Sequence, residues 1–509
     1  MFAAENGALP YGKVGGVGDV IRDLPEALAD AEWEPTVITP AYGIFGQLPG
    51  ARLTGSLDVN FAGARRNVEI FSVPGTDTRI RHLAFEHPLF SPAGTGKIYC
   101  DDGHDRPFAT DASKFALFSA AAAAYASREA GTNDIVHLHD WHTALYLVLR
   151  RFDERFRNLA DIRTVFTIHN LAMQGVRPLA GDPSSLQAWF PELAYDAAML
   201  VDPRWGDCIN PMAAAIRLAD GVSTVSPTYA MEVQQPDDPE HGFHGGEGLE
   251  QDLQRAAAEG RLVGILNGCM YPKLNRRRPG WRRLLDTIRI EVEHWRQGAD
   301  TGGPLHDLAL ERLGSLPKRR PGSVLTSIGR LTPQKVDLFL TEIGEGRTAL
   351  DAVLDDLGRE GMLILLGSGD AKLEQRMFDI AGRHGNFLFL CGYSQDFTDL
   401  LYRAGDLFLM PSSFEPCGIS QMLAMRAGQP CVVHAVGGLR DTVRDSVNGF
   451  SFAGATREEQ ASNFVTRVRD AIDMKTKDTD RWLRTRSAAL AARFSWKAAA
   501  GDYINRLYL

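Results

Sequence analysis

Val324-Leu-Thr-Ser-Ile328-Gly-Arg330-Leu-Thr-Pro-Gln-Lys335 is the stretch on which the fold reading turns. Five mostly apolar residues end in a glycine turn and then a helical pattern, the signature of a buried strand passing into a helix. The same pattern recurs at Met362 to Leu366, Phe387 to Cys391, Leu407 to Met410 and Cys431 to His434. Working back toward the N-terminus, further strands are predicted at Thr36 to Thr39, Ile135 to His139, Thr164 to Ile168 and Gly221 to Val225, with helices from Asp19, Thr143 and Pro227. Near-continuous apolar strands alternating with helices mean parallel sheets covered on both faces. The expected class is α/β, with two Rossmann-like doubly wound domains.

The chain has 509 residues, more than one hydrophobic core accommodates, so two domains of roughly 200 to 250 residues are expected. The boundaries read as 1–266, 267–495 and a last helix at 496–509 that packs back on one of the domains. The hinge falls near Asn267, followed at about 269–320 by an insertion. Its start is basic (Lys273, Arg276, Arg277, Arg278, Arg282, Arg283), and an amphipathic helix around Ile288 to Trp295 comes next. The alanine-rich tract Ala120 to Ala124 reads as buried helix. Met1-Phe-Ala-Ala4 resembles the end of a strand, so either the first strand is short or the start is placed a few residues late.

Composition narrows the function classes. The chain is 44% hydrophobic and 23% charged, with a net charge of −9, which gives no global basic field for nucleic acid. It has no leader pattern and no apolar run long enough to span a bilayer, so no membrane role is expected. The six cysteines include no C-x-x-C pair, which argues against a zinc site or disulfide framework and for the cytoplasm.

Parallel sheets bind ligands at the carboxyl ends of their strands, and five places there carry chemistry. Lys13-Val-Gly-Gly-Val-Gly-Asp19 is a glycine-rich turn before a helix, suited to an anion, with Gly16 at its centre. It is not the G-x-G-x-x-G dinucleotide pattern. His137-Leu-His139-Asp140-Trp141-His142 ends a strand. Alternation puts His137 and His139 on one face and Asp140 on the other, which disfavours a metal, and Asp140 could instead cap the next helix. His169 follows the strand Thr164 to Ile168 at the same rim. Arg330 and Lys335, five residues apart, can clamp a diphosphate; ordinary surface charge is the alternative. Glu415 lies in Ser412-Ser-Phe-Glu415-Pro-Cys-Gly418-Ile419-Ser420-Gln421, between a strand and a helix. There it serves a sugar or a developing positive charge, or merely the helix terminus.

Taken in order, these motifs resemble the bacterial glycogen synthases and plant starch synthases, a retaining GT-B family using ADP-glucose. Thr224-Val-Ser-Pro-Thr-Tyr229, Leu266-Asn-Gly268, Gly437-Gly-Leu-Arg-Asp-Thr442 and Phe494-Ser-Trp496 carry the likeness toward the C-terminus. The resemblance implies a GT-B fold whose two domains face across a deep cleft. It implies that Arg330 and Lys335 bind the donor phosphates with backbone groups of Gly16 and of Gly418, Ile419 and Ser420. Glu415 would hold the transferred glucose at its 3- and 4-hydroxyls. His169 would lie near its 6-hydroxyl and anomeric region, Asp140 beside the acceptor, Lys13 near the phosphates, and Tyr393 under the adenine. Acceptors would be glycogen or maltooligosaccharides, and neither cofactor nor metal would be needed. Oligomeric state has no signal here.

The sequence departs from the family pattern at the Glu5 to Lys13 spacing, at Val336, at Cys269-Met270 and at Arg426 to His434. These departures leave the donor clamp intact. They keep open a related enzyme using UDP-glucose or another acceptor, and a catalytically silent glucan-binding paralogue.

Overall fold

The structure is a computed structural model describing residues 1–509 apart from 104, 132–133, 273–276 and 299–302; at 395–396 it describes the backbone alone. It divides into two compact units. Unit 1 comprises Met1–Asp237, Gly245–Met270 and Ser495–Leu509; unit 2 comprises Asp238–His244 and Tyr271–Phe494. The crossing falls after Met270, four residues beyond the expected boundary. The seven residues Asp238–His244 join unit 2, where His244 packs on Phe414 with ring centroids 4.4 Å apart.

Unit 1 contains β1 (Thr36–Pro40), β2 (Arg52–Phe61), β3 (Ala64–Val73), β4 (Arg81–Glu86), β5 (Ile135–His139), β6 (Arg163–Ile168), β7 (Arg177–Pro178), β8 (Cys208–Ile209), β9 (Gly221–Thr224) and β10 (Leu262–Gly264). Two four-stranded arrays run β2-β3-β4-β1 and β5-β6-β9-β10, with β7 and β8 paired separately. Phe2 bridges β1 and β5 in parallel, so the expected first strand is a single bridging residue at the centre of the sheet.

The parallel expectation fails at β2 and β3, an antiparallel hairpin closed by Ala62 and Gly63. Both turn residues have positive φ, 50° and 68°, the backbone that matches the right-handed twist of a tight hairpin. Leu57, Val59 and Phe61 alternate inward while their neighbours stay exposed. An alternating strand of this kind contains no apolar run. The alanine-rich tract lies in the helix Ala109–Arg128, buried nearly all round.

Unit 2 contains β11 (Ser323–Ile328), β12 (Gly361–Leu366), β13 (Phe387–Leu390), β14 (Leu407–Met410), β15 (Cys431–His434) and β16 (Phe450–Phe452). All pair in parallel, in the order β13-β12-β11-β14-β15-β16. The apolar run of β12 serves both faces: Leu363 and Leu365 enter one core, Met362, Ile364 and Leu366 the other. That double burial explains why the strand reads as uniformly apolar.

The expected insertion is a working layer of unit 2. Its helix Trp281–Gly298 turns Trp281, Leu284, Ile288 and Val292 toward Leu388, Leu390 and Leu366. Lys273 and Arg276 lie outside the described residues. Arg278 donates to Asp406 Oδ1 at 2.6 Å, while Arg320 and Lys475 meet Oδ2 at 2.8 and 3.3 Å. Burial opposes ionisation of Asp406, yet Arg278, Arg320 and Lys475 hold its carboxyl below the usual range. This cluster around the buried Asp406 carboxylate sits at the amino end of β14, opposite the carboxyl edge where ligands gather. At least one charge of the basic stretch is therefore structural.

The C-terminal helix Trp496–Tyr503, continued by a wide turn at Ile504–Tyr508, returns to unit 1. Trp496 Nε1 donates to Asp23 at 3.1 Å, and Tyr503, Leu507 and Tyr508 enter the core beside Val20 and Val165.

Candidate active site

In unit 1 the chain reverses its winding between Phe2 and β5, and polar residues collect at the carboxyl edge of that junction. Glu5 is buried, and its Oε2 accepts from Val14, Gly15 and Gly18 N–H at 2.8, 2.7 and 3.2 Å. Tyr99 donates to its other oxygen at 2.9 Å. Much of the glycine-rich turn is therefore already wrapped around a carboxylate. Gly16 is not part of that cradle. It opens the helix Gly16–Asp30, which no side chain caps. Lys13 reaches Asp19 at 2.8 Å.

Asp140 does not cap its helix. Its backbone has φ 55° and ψ 177° and no side-chain cap bond, a region close to glycine-only that costs about 1–3 kcal/mol. The carboxylate instead accepts from His169 N at 2.7 Å. Burial pushes the Asp140 carboxyl up to about 7, against the pull of the His169 and Asn170 N–H groups and with help from Glu5. His139 and His169 join Nδ1 to Nε2 at 3.0 Å. His137 and His139 stack at 4.2 Å on one face, as alternation requires. Burial holds His169 down to about 3, so it is neutral at physiological pH. Among the described residues no group of three or more His, Cys, Asp or Glu is placed to hold a metal.

In unit 2 the order reverses between β11 and β14, which lie side by side. Lys335, three residues into the helix Pro333–Leu340, forms an ion pair with Oε2 of Glu415, five residues past β14. Ser412 donates to the same oxygen at 3.1 Å. The turn carrying Glu415 is held from below: Gly438 N donates to Glu415 O at 3.1 Å. A Cβ on Gly437, whose φ is +41°, would lie 1.9 Å from that carbonyl. Gln334 Nε2 fastens Phe414 O at 3.0 Å. The following helix is Ser420–Arg426 with Ile419 at its cap, so Gly418, at φ +75°, stands just before it.

A family model described as the starch synthase catalytic domain matches residues 1–255. A second, glycosyl transferases group 1, matches residues 322–470. The chain is 32% identical over 521 residues to the glycogen synthase of Streptococcus gordonii, covering 99% of this chain and 98% of that protein. The chain belongs to the glycogen synthase family. The glycogen synthase of Streptococcus equi subsp. equi is 34% identical over 516 residues, with 99% and 98% covered. The catalytic domain of starch synthase IV from Arabidopsis thaliana, bound to ADP and acarbose, matches with a TM-score of 0.74 at 27% identity, covering 100% of this chain and 97% of that one. Sucrose-phosphate synthase from Thermosynechococcus elongatus, at 17% identity and a TM-score of 0.53 over 97% of this chain and 93% of that one, shares the fold alone. The fold is GT-B, and membership of this family makes the chain a glycosyltransferase.

Of the seven side chains that the family motifs single out, Lys13 pairs with Asp19 and the other six fall into three groups. Asp140 and His169 meet in unit 1, and Lys335 and Glu415 meet in unit 2. Arg330 is exposed just past β11 and Tyr393 just past β13. Glu5 and Tyr99 also line the carboxyl edge in unit 1, although no motif announces them as site residues. The position of Glu5 three residues past the bridging Phe2 was the available signal.

Proposed function

We propose that this chain transfers glucose from ADP-glucose to the non-reducing end of an α-1,4-glucan with retention of configuration, as an ADP-glucose:α-1,4-glucan 4-α-glucosyltransferase. The observation that carries the reading is the buried Glu415 carboxylate paired with Lys335 where the sheet of unit 2 reverses. A cation for phosphate and an acceptor for sugar hydroxyls stand side by side. The starch synthase relative bound to ADP and acarbose supports a nucleotide and a sugar site on this fold.

In this reading Arg330 and Lys335 neutralise the diphosphate without a metal, helped by backbone groups of Gly16, Gly418, Ile419 and Ser420. Tyr393 stacks under the base, Glu415 holds the 3- and 4-hydroxyls, and His169 lies near the 6-hydroxyl. Asp140 borders the acceptor and Lys13 the phosphates. The bond from the anomeric carbon to the diphosphate oxygen breaks, and its electron pair leaves with the diphosphate. The acceptor 4-hydroxyl attacks the oxocarbenium-like centre from the same face, and its proton passes to the departing phosphate. Stabilising the leaving group is then the largest contribution. A cytoplasmic setting agrees with six cysteines among which no disulfide forms and with the lack, among the described residues, of a helix long and apolar enough to cross a membrane.

The donor base is tested by competition. With maltooligosaccharide acceptor and equal concentrations of both donors, ADP-glucose should be consumed faster than UDP-glucose. Faster consumption of UDP-glucose would overturn the ADP assignment while leaving glucosyl transfer in place.

A further inference from the structure

His139 and His169 share one short contact, Nδ1 to Nε2 at 3.0 Å, with rings 5.3 Å apart and 32° from coplanar. Both side chains are buried. Burial disfavours the charged form of each, so the two neutral rings carry one N–H apiece, and one of those protons lies in the contact. Which ring supplies it follows from the remaining nitrogens. His139 Nε2 is buried with no hydrogen-bond partner among the described residues. Its stacking neighbour His137 cannot serve it, because both nitrogens of His137 are engaged, by Tyr508 at 2.8 Å and Thr167 at 2.7 Å. Were the shared proton on His169, the His139 proton would sit on Nε2 as a buried N–H with no acceptor. Native proteins tolerate an orphaned N–H less readily than an orphaned lone pair. The proton therefore belongs on His139 Nδ1. His169 Nε2 accepts it, and the His169 proton sits on Nδ1, which has no protein partner among the described residues.

We infer that His139 is a positioning residue that fixes His169 in its Nδ1–H form, so that His169 offers the transferred sugar a hydrogen-bond donor and is removed as a base. The backbone of His169 is held separately by Asp140, so His139 sets the tautomer and ring orientation rather than the loop. This rests on the reading that His169 faces the sugar. With Nε2 engaged by His139 and Nδ1 already protonated, His169 has no free lone pair to take the acceptor's proton. That proton must go elsewhere, which agrees with its passage to the departing phosphate.

The test is long-range proton–nitrogen NMR on 15N-histidine protein, with the His169 signals identified by their loss in His169→Gln. The expected wild-type spectrum, without ligand, shows His169 protonated at Nδ1 and bare at Nε2; protonation at Nε2 overturns the proposal. Kinetics with ADP-glucose and maltooligosaccharide give the second arm. His139→Phe keeps a ring without the donor and should lower kcat about tenfold, the worth of one hydrogen bond, with KM changed less than about threefold. His139→Asn places an amide N–H near the Nδ1 position and should hold kcat within about threefold of wild type. Equal losses in the two variants would mean a packing role only, against the proposal. Full activity in His169→Gln would sink the sugar contact instead, with the NMR result still deciding the tautomer.

Discussion

Replacing Lys335 by alanine is expected to lower kcat/KM for glucosyl transfer by about a hundredfold or more, the effect of losing a charge partner of the transition state. Two losses combine. In the proposed donor site the leaving diphosphate keeps Arg330 but loses its second cation, and Glu415 loses the ammonium that pairs with its Oε2, keeping Ser412 at 3.1 Å. A buried carboxylate without its cation is also a poorly placed partner for sugar hydroxyls. Lys335→Arg should recover part of the rate, since charge is restored but the fork does not occupy the same position. Steady-state kinetics with both substrates varied would show it. A change under about threefold in Lys335→Ala would refute the role.

Lowering the pH from about 7 to about 5 should weaken unit 1 strongly. Burial holds His142 and His169 down to about 3 and His82 to about 4, whereas unfolded imidazole titrates near 6.5. The unfolded chain therefore takes up protons first as pH falls. The stability these groups contribute is complete above about 6.5 and is lost progressively below it, by about 2 kcal/mol each at pH 5. Burial pushes His137 and His139 in the same direction. Asp140 opposes them. Its folded value of about 7 lies above the ordinary carboxylate value, so its contribution is present at low pH and lost as pH rises through 7. Acidification to pH 5 returns about 2 kcal/mol of it. The net expectation is a fall of about 4 kcal/mol or more, read by urea denaturation followed through intrinsic fluorescence at the two pH values. Equal or greater stability at pH 5 would contradict it.

Much of this was legible because burial leaves marks on composition. The strands of unit 2 read as apolar runs since Met362 to Leu366 serve two cores at once. Alternation alone puts His137 and His139 on one face, where they stack. The hairpin β2 and β3 escaped because one face is solvated and no run forms. Asp140 reads locally as a helix cap, and only its positive φ and its bond to His169 show otherwise. Glu5 is marked only by its place past the short first strand, since the loop it organises lies nine to thirteen residues further along. The basic stretch announced charge but not purpose: Arg278 answers Asp406 from more than a hundred residues away. The buried spacing of Trp281, Leu284, Ile288 and Val292 was readable as a core-facing helix stripe, though not the sheet it covers.

The proposed reaction is retaining glucosyl transfer from ADP-glucose to the non-reducing end of an α-1,4-glucan. The direct measurement is incubation of the purified protein with ADP-glucose and a maltooligosaccharide, with the product resolved by proton NMR. The expected products are chains longer by whole glucose units, each joined by a new α-1,4 linkage, with ADP released in equal number. A new β-linkage, or release of free glucose without elongation, would contradict it.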